Sequence, residues 1–225
     1  MYKSLSSITL ALVTSICANP PGAQSFISDP YKVNIEDAYY FSLKSSDSAN
    51  LMVSDLTSKG TKSLPFNFNS LGSMVNLRDC LIFAADQGKG SELYSFSLNG
   101  KDTKPQLIKN LVVDGSSSPQ ELTVLGDRVF FTASNGKRRE LYVFDSQNES
   151  VSTVATAHKI TVPADPVHLT VVGKKLFFSA GEAEEVKKGK KTKKVYQRRY
   201  YMLDTEKPSK IHGFPFFDKH TNQKH

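Results

Sequence analysis

Val33-Asn-Ile-Glu-Asp-Ala-Tyr-Tyr-Phe41, Val75-Asn-Leu-Arg-Asp-Cys-Leu-Ile-Phe83, Thr123-Val-Leu-Gly-Asp-Arg-Val-Phe-Phe131 and Thr170-Val-Val-Gly-Lys-Lys-Leu-Phe-Phe178 are four versions of one pattern. They align without gaps, and their final phenylalanines step by 42, 48 and 47 residues. Asp37, Asp79 and Asp127 share one position, where the last copy has Lys174. Gly126 and Gly173 precede that position in the later copies. A short polar pair between two apolar runs is the signature of a tight β-hairpin.

Working outward, a second anchor follows each phenylalanine. It reads Asn50-Leu51-Met52-Val53, Glu92-Leu93-Tyr94-Ser95, Glu140-Leu141-Tyr142-Val143 and, after a longer gap, Arg199-Tyr200-Tyr201-Met202. The alternation in each is that of a strand. Shorter apolar runs close each unit near Leu64, Leu107, Val151 and Ile211. Each unit thus holds about four short strands in about 45 residues, the size of one propeller blade. One such meander cannot bury both faces, so neighbours must stack. The expected fold is all-β and β-propeller-like, either four-bladed or an open partial propeller. The repeat domain is expected over residues 26–212, followed by a polar tail at 213–225 in which Phe214, Phe216 and Phe217 would close the ring against the first blade.

Val129-Phe130-Phe131-Thr132-Ala133, then Gly136 and Glu140-Leu141-Tyr142-Val143, resemble the ELWxxDGT repeat of secreted bacterial proteins with hyalin-like propeller repeats. Leu51-Met52-Val53-Ser54-Asp55 with Gly60-Thr61 is similar to the second half of that repeat. The resemblance covers roughly residues 33–212. It departs from the family where Tyr or Met replaces Trp and where copies two to four lack Asp-Gly-Thr. It implies an extracytoplasmic repeat protein; it implies no reaction and brings no catalytic residues.

The N-terminus agrees with export. One early charge, Lys3, precedes an uncharged stretch from Leu5 to Ala18, the layout of a signal peptide over residues 1–18, with Ala23 a second candidate cleavage point. A secreted or periplasmic, envelope-side location follows. If Cys17 leaves with the signal, Cys80 has no intrachain disulfide partner.

The chain has a net charge of +7, which favours anionic partners. Most of this excess sits in one insertion in the fourth copy, residues 182–199, read as an exposed loop whose tip Gly181 and Gly189 make flexible. Lys187, Lys188, Lys190, Lys191, Lys193, Lys194, Arg198 and Arg199 stand there against Glu182, Glu184 and Glu185, a net +5. Such a run docks on acidic glycans or anionic lipid headgroups, or is simply solvated. Another protein is a further candidate partner. Nucleic acid is disfavoured: Tyr196 and Tyr200 flank the charges, but Tyr201 is a repeat position and no recognised binding motif is present.

Signals for catalysis are weak. Glu92 and Glu140 recur at one repeat position, where the other copies have Asn50 and Arg199, so they read as serving the repeat. Asp55, Asp145 and Asp204 lack a calcium-loop pattern, the five histidines lack metal spacing, and neither a Gly-x-Ser-x-Gly elbow nor a phosphate loop is present. No cofactor or metal is called for. The sequence therefore points to a non-enzymatic binding or scaffold protein. The alternatives are a propeller-fold hydrolase or lyase acting on glycans, and a truncated remnant of a longer repeat protein.

Overall fold

The computed structural model describes residues 32–35, 37–100, 103–188, 191–208 and 210–214. The expected signal segment, Gly189, Lys190, Phe216 and Phe217 lie outside them. The described residues form four antiparallel four-stranded sheets, each a simple meander. Blade 1 contains β1 (Lys32–Ile35), β2 (Ala38–Lys44), β3 (Ala49–Ser54) and β4 (Lys62–Phe68). Blade 2 contains β5 (Ser70–Leu77), β6 (Cys80–Asp86), β7 (Ser91–Ser97) and β8 (Gln106–Lys109). Blade 3 contains β9 (Gln120–Leu125), β10 (Arg128–Ser134), β11 (Arg139–Asp145) and β12 (Ser150–Thr153), then a short helix α1 (Val154–His158) capped by the Thr153 hydroxyl. Blade 4 contains β13 (Ala164–Val172), β14 (Lys175–Lys188), β15 (Lys191–Asp204) and β16 (Ile211–Phe214).

The expected hairpins are present. Leu77 pairs with Cys80, Leu125 with Arg128 and Val172 with Lys175, leaving two-residue turns. The first turn residue has positive φ in all three: 55° at Arg78, 62° at Gly126 and 60° at Gly173. Glycine meets that requirement without steric cost, which explains the Gly-Asp and Gly-Lys pairs. The second turn residue acts through its backbone. The carbonyls of Asp79, Asp127 and Lys174 accept hydrogen bonds from the amides of Leu98, Ser146 and Thr205, just past the third strand of each blade. A lysine keeps this backbone bond, whereas Asp127 also uses its carboxylate, which accepts from Arg78 and Gln147.

Three seams hold the blades together, each filled by an apolar cluster. Leu51, Ala49 and Phe68 of blade 1 meet Phe83, Met74 and Tyr94 of blade 2. Ile82 and Leu93 of blade 2 meet Phe131, Tyr142 and Val129 of blade 3. Phe130, Leu141 and Val143 of blade 3 meet Phe178, Leu176 and Tyr201 of blade 4. Each seam contains one cross-strand ring stack: Phe83 on Tyr94, Phe131 on Tyr142 and Phe178 on Tyr201, with centroids 5.6–6.2 Å apart. Tyr94, Tyr142 and Tyr201, which share one repeat position, are thus buried seam residues.

Among the described residues, no equivalent apolar cluster joins blade 4 to blade 1. On blade 4, the positions that fill seams elsewhere hold Phe177, Tyr200 and Met202, and Tyr200 is 57% exposed. Phe214 belongs to this same sheet. It pairs with Tyr200 in the β15–β16 ladder and stacks on Phe177 at 6.2 Å. The expectation that it closes the ring against blade 1 is therefore corrected: its ring finds an aromatic partner in its own blade, and the outermost strand runs two residues past the expected domain end at 212.

A second correction concerns the basic insertion. It is a continuation of β14 and β15, not a loop. Cross-strand pairing runs without a slip from Lys175 opposite Asp204 to Lys188 opposite Lys191. Neither β13 nor β16 follows it, because their ladders stop at Gly181 and Tyr200. The insertion is thus a two-stranded ribbon rising from blade 4.

Candidate functional site

In a meander of this kind the turn between strands two and three and the crossing to the next blade lie at one end, here the upper face. The ribbon rises from that face. Lys187 and Lys188 stand at the end of β14, opposite Thr192 and Lys191, and Lys193 and Lys194 stand on β15 opposite Val186 and Glu185.

Arg198 is different. Its Nη1 donates to the carbonyls of Asp165 (3.0 Å) and Ser179 (3.4 Å). Arg139 occupies the same register position in blade 3 and donates to the carbonyls of Thr132 (2.9 Å) and Ser118 (3.0 Å). Both arginines are backbone clamps joining the entry of the innermost strand to strand two. Arg198 was grouped with the polyanion-binding residues by its charge; the structure gives it this positioning task. Arg199 pairs with Ala180 in the ladder and is half-buried.

The four innermost strands, β1, β5, β9 and β13, line an open cavity of about 1190 Å³. In β5, β9 and β13 the pairing with strand two is interrupted at the same level by a bulge. Bulges re-aim side chains and recur beside functional sites. Ser73, Glu121 and His168 occupy equivalent positions there, and all three line the cavity. Glu121 and His168 hold φ of 55° and 61° within strands, a costly conformation for residues with a Cβ. Glu121 Oε2 accepts from the Leu169 amide at 2.8 Å, tying β9 to β13. His168 Nδ1 lies 3.1 Å from the Ser179 hydroxyl. The Ser73 hydroxyl and Asn76 Oδ1 are buried and lack a hydrogen-bond partner. The cavity's blade 1 wall carries Lys32, Val33, Asn34 and Tyr39.

The recurring glutamates separate. Glu92 is 4% exposed. It accepts from the Ser117 amide (3.0 Å), the Ser117 hydroxyl (2.6 Å) and the Leu111 amide (3.2 Å), fastening the blade 2 to blade 3 crossing. Glu140 instead accepts from Arg138 and Asn135 at the surface. They do not form an acid–base pair, since Glu92 is saturated by structural donors. Asp55, Asp145 and Asp204 each accept from an amide two residues on, closing Asx turns after the third strand. Among the described residues no three His, Cys, Asp or Glu side chains gather as a metal site. No described helix is long and apolar enough to cross a membrane.

The strain and polarity around Glu121 and His168 were not visible in the sequence. The only trace was that Ser73, Glu121 and His168 fall at one repeat position.

With this geometry in view, solved structures supply relatives of the fold. The chain is similar to TolB from Acinetobacter baumannii, with TM-score 0.51 and 15% identity over 79% of this chain. It is similar to a putative TolB from Agrobacterium tumefaciens, with TM-score 0.51 and 10% identity over 79% of this chain. A prolyl endopeptidase matches 80% of the chain with TM-score 0.51 and 11% identity. The chain spans 40%, 60% and 25% of the lengths of these proteins. At such identities the likeness establishes a propeller-type fold. No family model matches the chain, and no curated protein matches it.

Proposed function

We propose that the protein is a secreted or envelope-side, non-enzymatic scaffold that docks on polyanionic surfaces through the lysine-rich ribbon. The observation that carries this reading is the unbroken β14–β15 register. It carries Lys187, Lys188, Lys191, Lys193 and Lys194 on two paired strands beyond the rim of blade 4. Lysines anchored in a ladder lose less freedom on binding than lysines on a coil. The N-terminal apolar segment and the resemblance to ELWxxDGT repeats support an extracytoplasmic setting, where acidic glycans and anionic headgroups are abundant.

The test replaces Lys187, Lys188, Lys190, Lys191, Lys193 and Lys194 with Ser, leaving Arg198 and Arg199 intact. Binding of wild type and variant to polyphosphate, polyuronates and anionic vesicles is titrated against salt. Wild-type affinity is expected to fall steeply with ionic strength, and the variant should lose both affinity and salt slope. Equal binding by the two proteins refutes the reading.

A further inference from the structure

We infer that the polyanion is a carbohydrate, and that the mouth of the central channel is a saccharide subsite working with the ribbon. This rests on the docking reading above.

The first observation is backbone strain that the bulge itself does not require. The bulge occurs in three innermost strands, yet at Ser73 it forms without a positive φ. The bulge itself therefore does not require the left-handed backbone at Glu121 and His168. Such conformations cost about 1–3 kcal/mol each and cluster at ligand sites.

The second is the Ser73 hydroxyl. It is buried, with the residue 8% exposed, and lines the cavity without a hydrogen-bond partner. Native proteins rarely leave such groups unpaired without reason. Asn76 Oδ1 on the same strand shares this condition.

The third is the chemistry of the wall. Its charged side chains are Lys32 and Glu121, which cancel; His168 is its one other titratable group, Tyr39 apart. The remaining polar lining is hydroxyl and amide. That surface does not suit a phosphate chain or a lipid headgroup, which need convergent cations. It suits sugar hydroxyls, each both donor and acceptor. The cavity lies at the upper end of the range of small-molecule sites, enough for several sugar rings.

The fourth is connection. Arg198, at the base of the ribbon, grips the Ser179 carbonyl, and the Ser179 hydroxyl meets His168. Ribbon and channel mouth are thus parts of one braced unit. An acidic polysaccharide can place its carboxylates along the ribbon and its hydroxyls in the channel.

The experiment compares three polyuronates (polygalacturonate, alginate and polyglucuronate) with polyphosphate, which carries charge but no hydroxyls, at matched salt and charge. Wild type should bind at least one polyuronate about tenfold more tightly than polyphosphate, as expected for two or three added hydrogen bonds. Ser73→Ala and Glu121→Gln should together erase this preference while leaving polyphosphate binding and the salt slope unchanged. Ser73→Ala removes an unpartnered buried hydroxyl, so a purely structural role predicts unchanged or higher stability and no change in sugar affinity. If wild type binds all four polymers equally, or if the variants keep the preference, the subsite falls and the ribbon reading stands. If no polymer binds, both fall.

Discussion

Replacing Glu92 with Ala should be far more damaging than replacing Glu140, although the two hold the same repeat position. Glu92 supplies acceptors to the Ser117 amide and hydroxyl and to the Leu111 amide, and Ser117 is fully buried. Each buried donor left unpaired costs about 1–3 kcal/mol. Leu111 is only half-buried, so water recovers part of its bond. The expected loss for Glu92→Ala is about 3–4 kcal/mol, with roughly 2–4 °C of melting temperature per kcal/mol at this chain length. Glu140 serves Arg138, whose side chain is 59% exposed, and Glu140→Ala should cost about 1 kcal/mol or less. Urea titrations measure both, and hydrogen exchange at the Ser117 and Leu111 amides localises the effect. Equal losses in the two variants, or a Glu92→Ala loss under about 1 kcal/mol, would refute the idea that this carboxylate fastens the crossing.

Other expectations follow from the same contacts. Phe130 is fully buried in the seam of blades 3 and 4, so Phe130→Ala should cost about 3–5 kcal/mol by denaturant titration. Gly90 has φ of 94°, and a Cβ there would stand 2.6 Å from the Gly115 carbonyl oxygen; Gly90→Ala should lose about 2 kcal/mol or more in the same assay. Burial, with a smaller contribution from Arg128, holds the His158 pKa below its ordinary value of 6.5. The unfolded chain then takes up this proton first, so the stability His158 supplies is present above pH 6.5 and lost as pH falls below it. His158→Gln should flatten that part of a stability–pH curve. Arg198→Ser should destabilise blade 4, seen as faster exchange of β13 and β14 amides, because it frees two carbonyls at the channel mouth.

The blade count, the two-residue turns and the seam aromatics were legible because they repeat. Phe41, Phe83, Phe131 and Phe178 mark strand two in every blade, and a period is visible whatever surrounds it. The nature of the basic insertion was not legible. A strand with lysine at adjacent positions loses the alternation by which strands are recognised, and Gly181 reads with Gly189 as a flexible tip although it pairs with Arg198. The partners of Glu92 were hidden for another reason. Ser117 lies 25 residues away in a stretch with no pattern, so only the fold brings them together. The channel mouth depends on register slips in three strands, and a slip leaves no mark in composition.

The ribbon has one more consequence. Beyond Gly181 and Tyr200 both of its outer edges present backbone without a neighbouring strand in the described ladders. A bare two-stranded edge is a template for recruiting strands from other molecules, and lysines are a common guard against that. On the docking reading, the charges proposed to meet an anionic surface would also keep copies from stacking into fibrils. The Ser-substituted ribbon should therefore aggregate at concentrations the wild type tolerates, whereas a glutamate-substituted ribbon, still charged, should remain dispersed.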